Sequence, residues 1–262
     1  MARVVEIKEK VASLRDLYKP EDMLFLFDMD MTLTQPDHPA VSFPHMTKFG
    51  PAMKQSLGKL TPEQKDVMLN LVIKRIPWRL VDPSMPSFLT HLQEEGIRSI
   101  VLTGSLSGPL EEVPRFEVYR YENLKKIGLD FSSAFPQVEE IFFQDHPSYL
   151  GHYPVFYKGI LCTNGLSGDE NKGSLLKSFL DHEKINQGGA IAPQLIVLVD
   201  DKRENLEDVA RDLAQEYPSL VFLGIEYTGA SSYEGRDLTE EDFIEFWQDL
   251  ATQALQIISP SS

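Results

Sequence analysis

The sequence contains one cysteine, Cys162, in 262 residues. An intrachain disulfide and a thiolate metal cluster are therefore both excluded, and a reducing compartment suits the chain. It also lacks any run of about 18 apolar residues, the length a helix needs to cross a bilayer. Cations are scarce: 25 Lys plus Arg stand against 40 Asp plus Glu, for a formal net charge of −15. A surface of that sign repels the phosphate backbone of nucleic acids and anionic membrane faces, which sets both aside as main partners. Internal repeats and low-complexity tracts are missing, which removes solenoid architectures. The opening segment, MARVVEIKEKVASLRDLY, interleaves charges with apolar residues and has no continuous apolar core of a secretory signal. The expected location is the cytoplasm, with export by a non-Sec route left open.

What is present is a 42% hydrophobic chain, enough for one domain with a subdomain or two modest domains. Val4, Ile7, Val11, Leu14 and Tyr18 recur at spacings of three and four, which predicts an amphipathic helix over 4–18. MLFLF at 23–27 is a continuous apolar run, as expected of a central parallel strand covered on both faces. Residues 36–86 are proline-bounded and mainly helical, including 61–74 with Thr61 as cap and Pro62 in the first turn. Beyond them, helix patterns at 87–95, 116–127, 173–182, 204–217 and 239–258 alternate with strand patterns at 97–102, 195–199 and 220–225. Strand patterns at 140–143 and 155–163 flank a polar loop. The expectation is an α/β fold, a Rossmann-like doubly wound parallel sheet made by 1–35 and 87–262, with a helical cap insert at 36–86 and a smaller β excursion near 132–165. Such sheets bind ligands beyond the carboxyl ends of their strands.

Chemically apt residues cluster at those ends. Asp28, Asp30 and Thr32 follow the first strand in FDMDMTLT, Thr103 ends IRSIVL, Lys172 precedes GSLLKSFL, and Asp200 with Asp201 ends LIVLV. Two carboxylates two residues apart at a strand exit can share one crevice if the chain bends there, and they need a cation. In this order the residues resemble the four motifs of the haloacid dehalogenase superfamily of phosphatases: Asp-x-Asp-x-Thr, a strand-terminal Thr, a helix-opening Lys and a strand-terminal acidic pair. The resemblance covers the core from about residue 23 to 225 but not the caps.

The resemblance implies phosphomonoester hydrolysis through an aspartyl phosphate. Asp28 would be the nucleophile. Asp30 would protonate the leaving alcohol and then deprotonate the attacking water. Thr103 would hydrogen-bond the phosphoryl group, and Lys172 would neutralise charge shared by Asp28 and the phosphate. Mg²⁺, a hard cation preferring oxygen ligands, would sit on Asp28, the backbone carbonyl of Asp30 and Asp200, with Asp201 or Asn205 completing the shell. The superfamily often has a second acid where this chain has Asn205. Phosphorylated small molecules and phosphoprotein side chains both stay open as substrates. Two alternatives share these residues: a phosphotransferase, and a binding protein that keeps the fold without turnover.

Other features suit structural roles better. Lys158 lies inside a strand pattern and is the second choice to Lys172. Asp145, His146 and His152 read as a surface loop, and Cys162 as a core residue. GDENKGS, from Gly168, has the wrong order for a Walker A loop. Lys74, Arg75 and Arg79 beside Trp78 read as dressing of a helix.

Overall fold

In the computed structural model, which describes residues 1–165, 172–182, 185, 193–232 and 237–258, MLFLF forms β1, Met23–Phe27, with all five residues buried. It pairs in parallel with β4 (Arg98–Thr103) on one side and β8 (Leu195–Asp200) on the other. Outside β8 runs β9 (Val221–Glu226), and outside β4 runs β7 (Ile160–Cys162), both also parallel. β6 (Val155–Tyr157) and β5 (Glu140–Phe142) extend that edge antiparallel, giving the order β5-β6-β7-β4-β1-β8-β9. The protein is α/β, built on a mostly parallel seven-stranded sheet.

The two-residue period of a strand sends alternate β1 side chains to opposite faces. Phe25 and Phe27 pack with Val4 and Ile7 of α1 (Val4–Arg15), Phe88 of α4 (Met85–Glu94) and Leu124 of α5 (Phe116–Lys126). Leu24 and Leu26 pack on the other face with Leu175 and Phe179 of α6 (Lys172–Asp181), and with Val209 and Leu213 of α7 (Arg203–Glu216). Each such side chain contributes roughly 1.5–3 kcal/mol on full burial, so this strand anchors the fold.

The helical insert contains α2 (Phe43–Leu57) and α3 (Pro62–Arg75). Thr61 caps α3 in a reciprocal capping box with Gln64, as its sequence predicts. A short antiparallel pair, β2 (Thr34–Pro36) with β3 (Trp78–Leu80), stitches the two ends of the insert together. No alternation over three residues could announce it.

Two expectations need correction. The run 155–163 is not one strand: Lys158 and Gly159 both have positive φ, 44° and 87°, and turn β6 into β7 as a hairpin. Lys158 therefore sits at a turn, and a Cβ on Gly159 would lie 2.3 Å from the carbonyl oxygen of Phe131. The second concerns 87–262, assigned to the α/β core with a β excursion near 132–165. Its last helix, α8 (Glu240–Ile258), packs instead against α2 and α3. Phe243, Trp247, Leu250, Ala251 and Ala254 form one stripe that buries with Phe49, Val67 and Leu71, and Trp247 Nε1 donates to Ala40 O at 3.0 Å. No helix among the described residues is long and apolar enough to cross a membrane.

Candidate active site

Strand register decides where the site lies. Phe27 is level with both Val101 and Val199, so Asp28, Thr103 and Asp200 all leave the sheet at one edge, the carboxyl ends of the parallel strands. The Asp28 N–H still donates to Val199 O at 2.8 Å, which fixes its Cα beside β8. Lys172, the first residue of α6, reaches the same point. Its Nζ donates to Asp28 Oδ1 and to Asp200 Oδ2, each at 2.6 Å. All three are buried, Asp200 completely. Asp201 completes a group of three acids, with Asp28 and Asp200, whose oxygens lie within 4.8 Å of one another. Among the described residues it is the one group of three or more potential ligands close enough to share an ion.

One ammonium does not balance three carboxylates. Burial, with the charges of Asp200 and Asp201, pushes the Asp28 carboxyl up from 3.8 to about 8 despite the pull of Lys172. Burial and Asp200 likewise raise Asp201 to about 6. Burial works against the charge on Lys172, but Asp28 and Asp200 raise its pKa above the ordinary lysine value. The cluster is therefore short of positive charge. Its donors are hard oxygens, which fit Mg²⁺ and fit a soft metal poorly.

Asp200 is held by two further donors. Lys202 N–H donates to its Oδ1 at 2.9 Å, and Asn205 Nδ2 donates to Oδ1 at 2.9 Å and Oδ2 at 3.1 Å. Asn205, a candidate ligand by sequence, thus presents its amide nitrogen and orients Asp200. Thr32 Oγ1 lies 3.5 Å from Asp28 Oδ2. Thr103 is buried at the end of β4, where its Oγ1 accepts from Ser105 N–H at 3.2 Å.

Asp30 stands apart from the carboxylate cluster. After Asp28 the chain curls tightly: Leu33 and Thr34 N–H both donate to Met29 O, at 3.0 and 2.9 Å, and Met31 adopts φ 67°. The bend expected of the acidic motif is this turn. It carries the half-buried Asp30 carboxylate to Arg120 of α5, which donates to it through Nη2. Arg120 is only 4% exposed, and its guanidinium lies 5.3 Å from the Trp78 ring centroid. Sequence reasoning missed Arg120. Its signal was its position: Phe116, Arg120 and Leu124 share one helical stripe, and a cation on a buried stripe needs a buried partner.

The remaining candidates fall into structural places. His146 Nε2 meets Ser178 Oγ at 2.8 Å, and His152 abuts Gly108. Cys162 is fully buried, and burial raises its thiol pKa. Lys74 pairs with Glu111 and Glu112, and Arg75 with Glu111, so these cations tie α3 to the loop after β4. Residues 168–171 of GDENKGS lie outside the described residues.

A family model described as "Protein of unknown function (DUF2608)" matches residues 2–256. The chain belongs to this family. Within curated proteins it is similar to an "Uncharacterized protein" of Rickettsia bellii (strain RML369-C), 28% identical over 222 residues, covering 82% of this chain and 71% of that protein. It is similar to another of Rickettsia felis (strain ATCC VR-1525 / URRWXCal2), 28% identical over 159 residues, covering 60% of this chain and 51% of the relative. "Uncharacterized protein RC0398" of Rickettsia conorii (strain ATCC VR-613 / Malish 7) is 24% identical over 225 residues, 84% of this chain and 73% of its own length. The chain thus spans between about half and three quarters of these relatives. No solved structure matches. The family match runs through both the sheet and the helical layer, so Asp28, Lys172, Asp200 and all but the last two residues of α8 fall within the family's span.

Proposed function

We propose that the chain is a magnesium-dependent phosphohydrolase of the haloacid dehalogenase type that cleaves a phosphomonoester. The observation that carries this reading is the meeting of Asp28, Lys172, Asp200 and Asp201, from the ends of two strands and the start of a helix, in one buried cluster short of positive charge. A purely structural ion pair has no need of three carboxylates at the ligand-binding edge of a parallel sheet.

Asp28 is the nucleophile. Its Oδ2, the oxygen that Lys172 does not hold, attacks phosphorus in line, the bond from phosphorus to the leaving alcohol breaks, and an aspartyl phosphate forms. Asp30 gives the alcohol its proton. It then takes one from the water that attacks the phosphoryl group and returns Asp28 to a carboxylate. Lys172 holds Asp28 in place and neutralises charge beside it, Asn205 and the Lys202 amide hold Asp200, and Arg120 aims Asp30. Asp28, Asp200 and Asp201 would hold Mg²⁺, which would supply positive charge over the phosphoryl oxygens and favour the ionised form of Asp28. The substrate is a phosphorylated small molecule or phosphoprotein side chain.

The test is phosphate release from p-nitrophenyl phosphate with Mg²⁺ and with chelator. Turnover that needs metal and vanishes in Asp28→Asn and Asp30→Asn is the expected result. Folded, metal-loaded protein that releases no phosphate from this or a broad panel of phosphomonoesters would overturn the reading.

A further inference from the structure

A cleft of about 400 Å³, at the small end of the range for ligand pockets, opens between the end of α3, β3 and one flank of α5. Its lining includes Lys74, Arg75, Arg120 and Lys126, and no Asp or Glu. The chain as a whole has 40 acidic and 25 basic residues, so a wall with four cations and no acid runs against its composition. Neither Asp28 nor Asp200 belongs to this wall.

The aromatic side chains in the wall are fixed. Trp78 Nε1 donates to Ile73 O at 2.9 Å, and Tyr119 Oη donates to Lys74 O at 3.1 Å. Their polar atoms are tied to α3, which leaves their rings as preset apolar surface. The cations differ in how far they are already committed. Lys74 and Arg75 are shared with Glu111 and Glu112, while Lys126 is on the exposed rim with Asn123 Oδ1 3.4 Å from its Nζ. Arg120 is buried beneath, and its Nε has no hydrogen-bond partner among the described residues. A buried guanidinium with an unmet N–H and a single half-exposed counter-ion is costly, and an anion nearby lowers that cost.

We propose that this cleft is a second ligand site, distinct from the carboxylate cluster, for a small organic anion bearing a flat ring. The ring lies against Trp78 and Tyr119, and the anionic group faces Lys126, Asn123 and the charge of Arg120. Because Arg120 also holds Asp30, the ligand and Asp30 compete for one guanidinium. Binding in the cleft is therefore linked to the state of Asp30.

Calorimetric titration of the full chain in chelator, which keeps divalent metal out of the carboxylate cluster, tests this without any reference to turnover. Adenosine 5′-monophosphate serves as the probe, with adenosine and inorganic phosphate as its two halves. The expected result is saturable binding of the monophosphate and at least about tenfold weaker binding of either half, a difference of roughly 1.4 kcal/mol. Lys126→Glu, at an exposed position that does not endanger folding, weakens binding by a similar factor, as does Trp78→Leu. Asp30→Asn releases Arg120 and tightens binding severalfold. No binding in the millimolar range, or binding unchanged by Lys126→Glu and Trp78→Leu, would overturn the proposal. Loss of binding in Asp30→Asn would refute the competition for Arg120.

Discussion

Replacing Asp28 by Asn should stabilise the metal-free protein while abolishing the phosphate release proposed for this site. The Asp28 carboxyl rises from 3.8 to about 8 on folding, because burial and two neighbouring acids outweigh Lys172. At about 1.4 kcal/mol per tenfold change, keeping this group near neutral pH costs at most about 4 kcal/mol relative to a neutral side chain. Relaxation and water entry reduce such ceilings by a factor of two or more. Asn keeps the shape and an acceptor for Lys172, whose other partner, Asp200, is untouched. The expected gain is about 1–2 kcal/mol, seen as a melting point higher by roughly 2–8 °C in a chain of this size. Thermal unfolding followed by circular dichroism at pH 7 in chelator reads it directly. Added Mg²⁺ should narrow or reverse the gap, since only wild type offers all three carboxylates. An Asn variant that melts below wild type in chelator would show that the Lys172–Asp28 pair stabilises the fold by more than the excess charge destabilises it, and the argument for a cation site would lose its electrostatic basis.

The same shifts fix a pH dependence. Asp28 and Asp201 have folded-state values of about 8 and about 6, both raised from 3.8, so the folded protein holds protons that the unfolded chain has released. Stability in chelator should therefore be greatest below about pH 4 as far as these groups are concerned. It should fall as pH rises through 6 and 8, by at most about 1.4 kcal/mol per pH unit for each group. Urea titrations across this range with saturating Mg²⁺ should show a flatter profile, and a rise in chelator over the same window would refute the assignment. Lys172→Met leaves two buried carboxylates without their ammonium and should cost about 3–5 kcal/mol in chelator, partly recovered by Mg²⁺. A loss below about 1 kcal/mol would mean that Lys172 is not the cluster's main counter-charge.

The sheet was legible because its strands announce themselves. MLFLF and LIVLV are continuous apolar runs that can only be covered on both faces, and the acids that follow them leave at one edge once the strands are parallel. Lys172 was legible because it precedes a helix pattern next to such a strand. Other features were not. The hairpin of β2 and β3 is three residues on each side and has no period to detect. The turn at Lys158 hides inside an apolar run, where only its glycine hints at a reversal. Arg120 and Asp30 are 90 residues apart, and no local pattern links them. The partners of α8 were equally hidden, since an amphipathic stripe states that it must be covered without naming what covers it.

That last pairing has a consequence for how the molecule is made. Trp247 closes on Ala40 across 207 positions of chain, so the helical layer that begins with α2 is covered only after β9, the last strand of the sheet among the described residues, has been synthesised. During synthesis, the apolar faces of α2 and α3 wait for almost the whole sheet to be translated before their cover arrives. A nascent chain stalled before Glu240 would leave Phe49, Val67 and Leu71 without the cover that α8 supplies and open to chaperones.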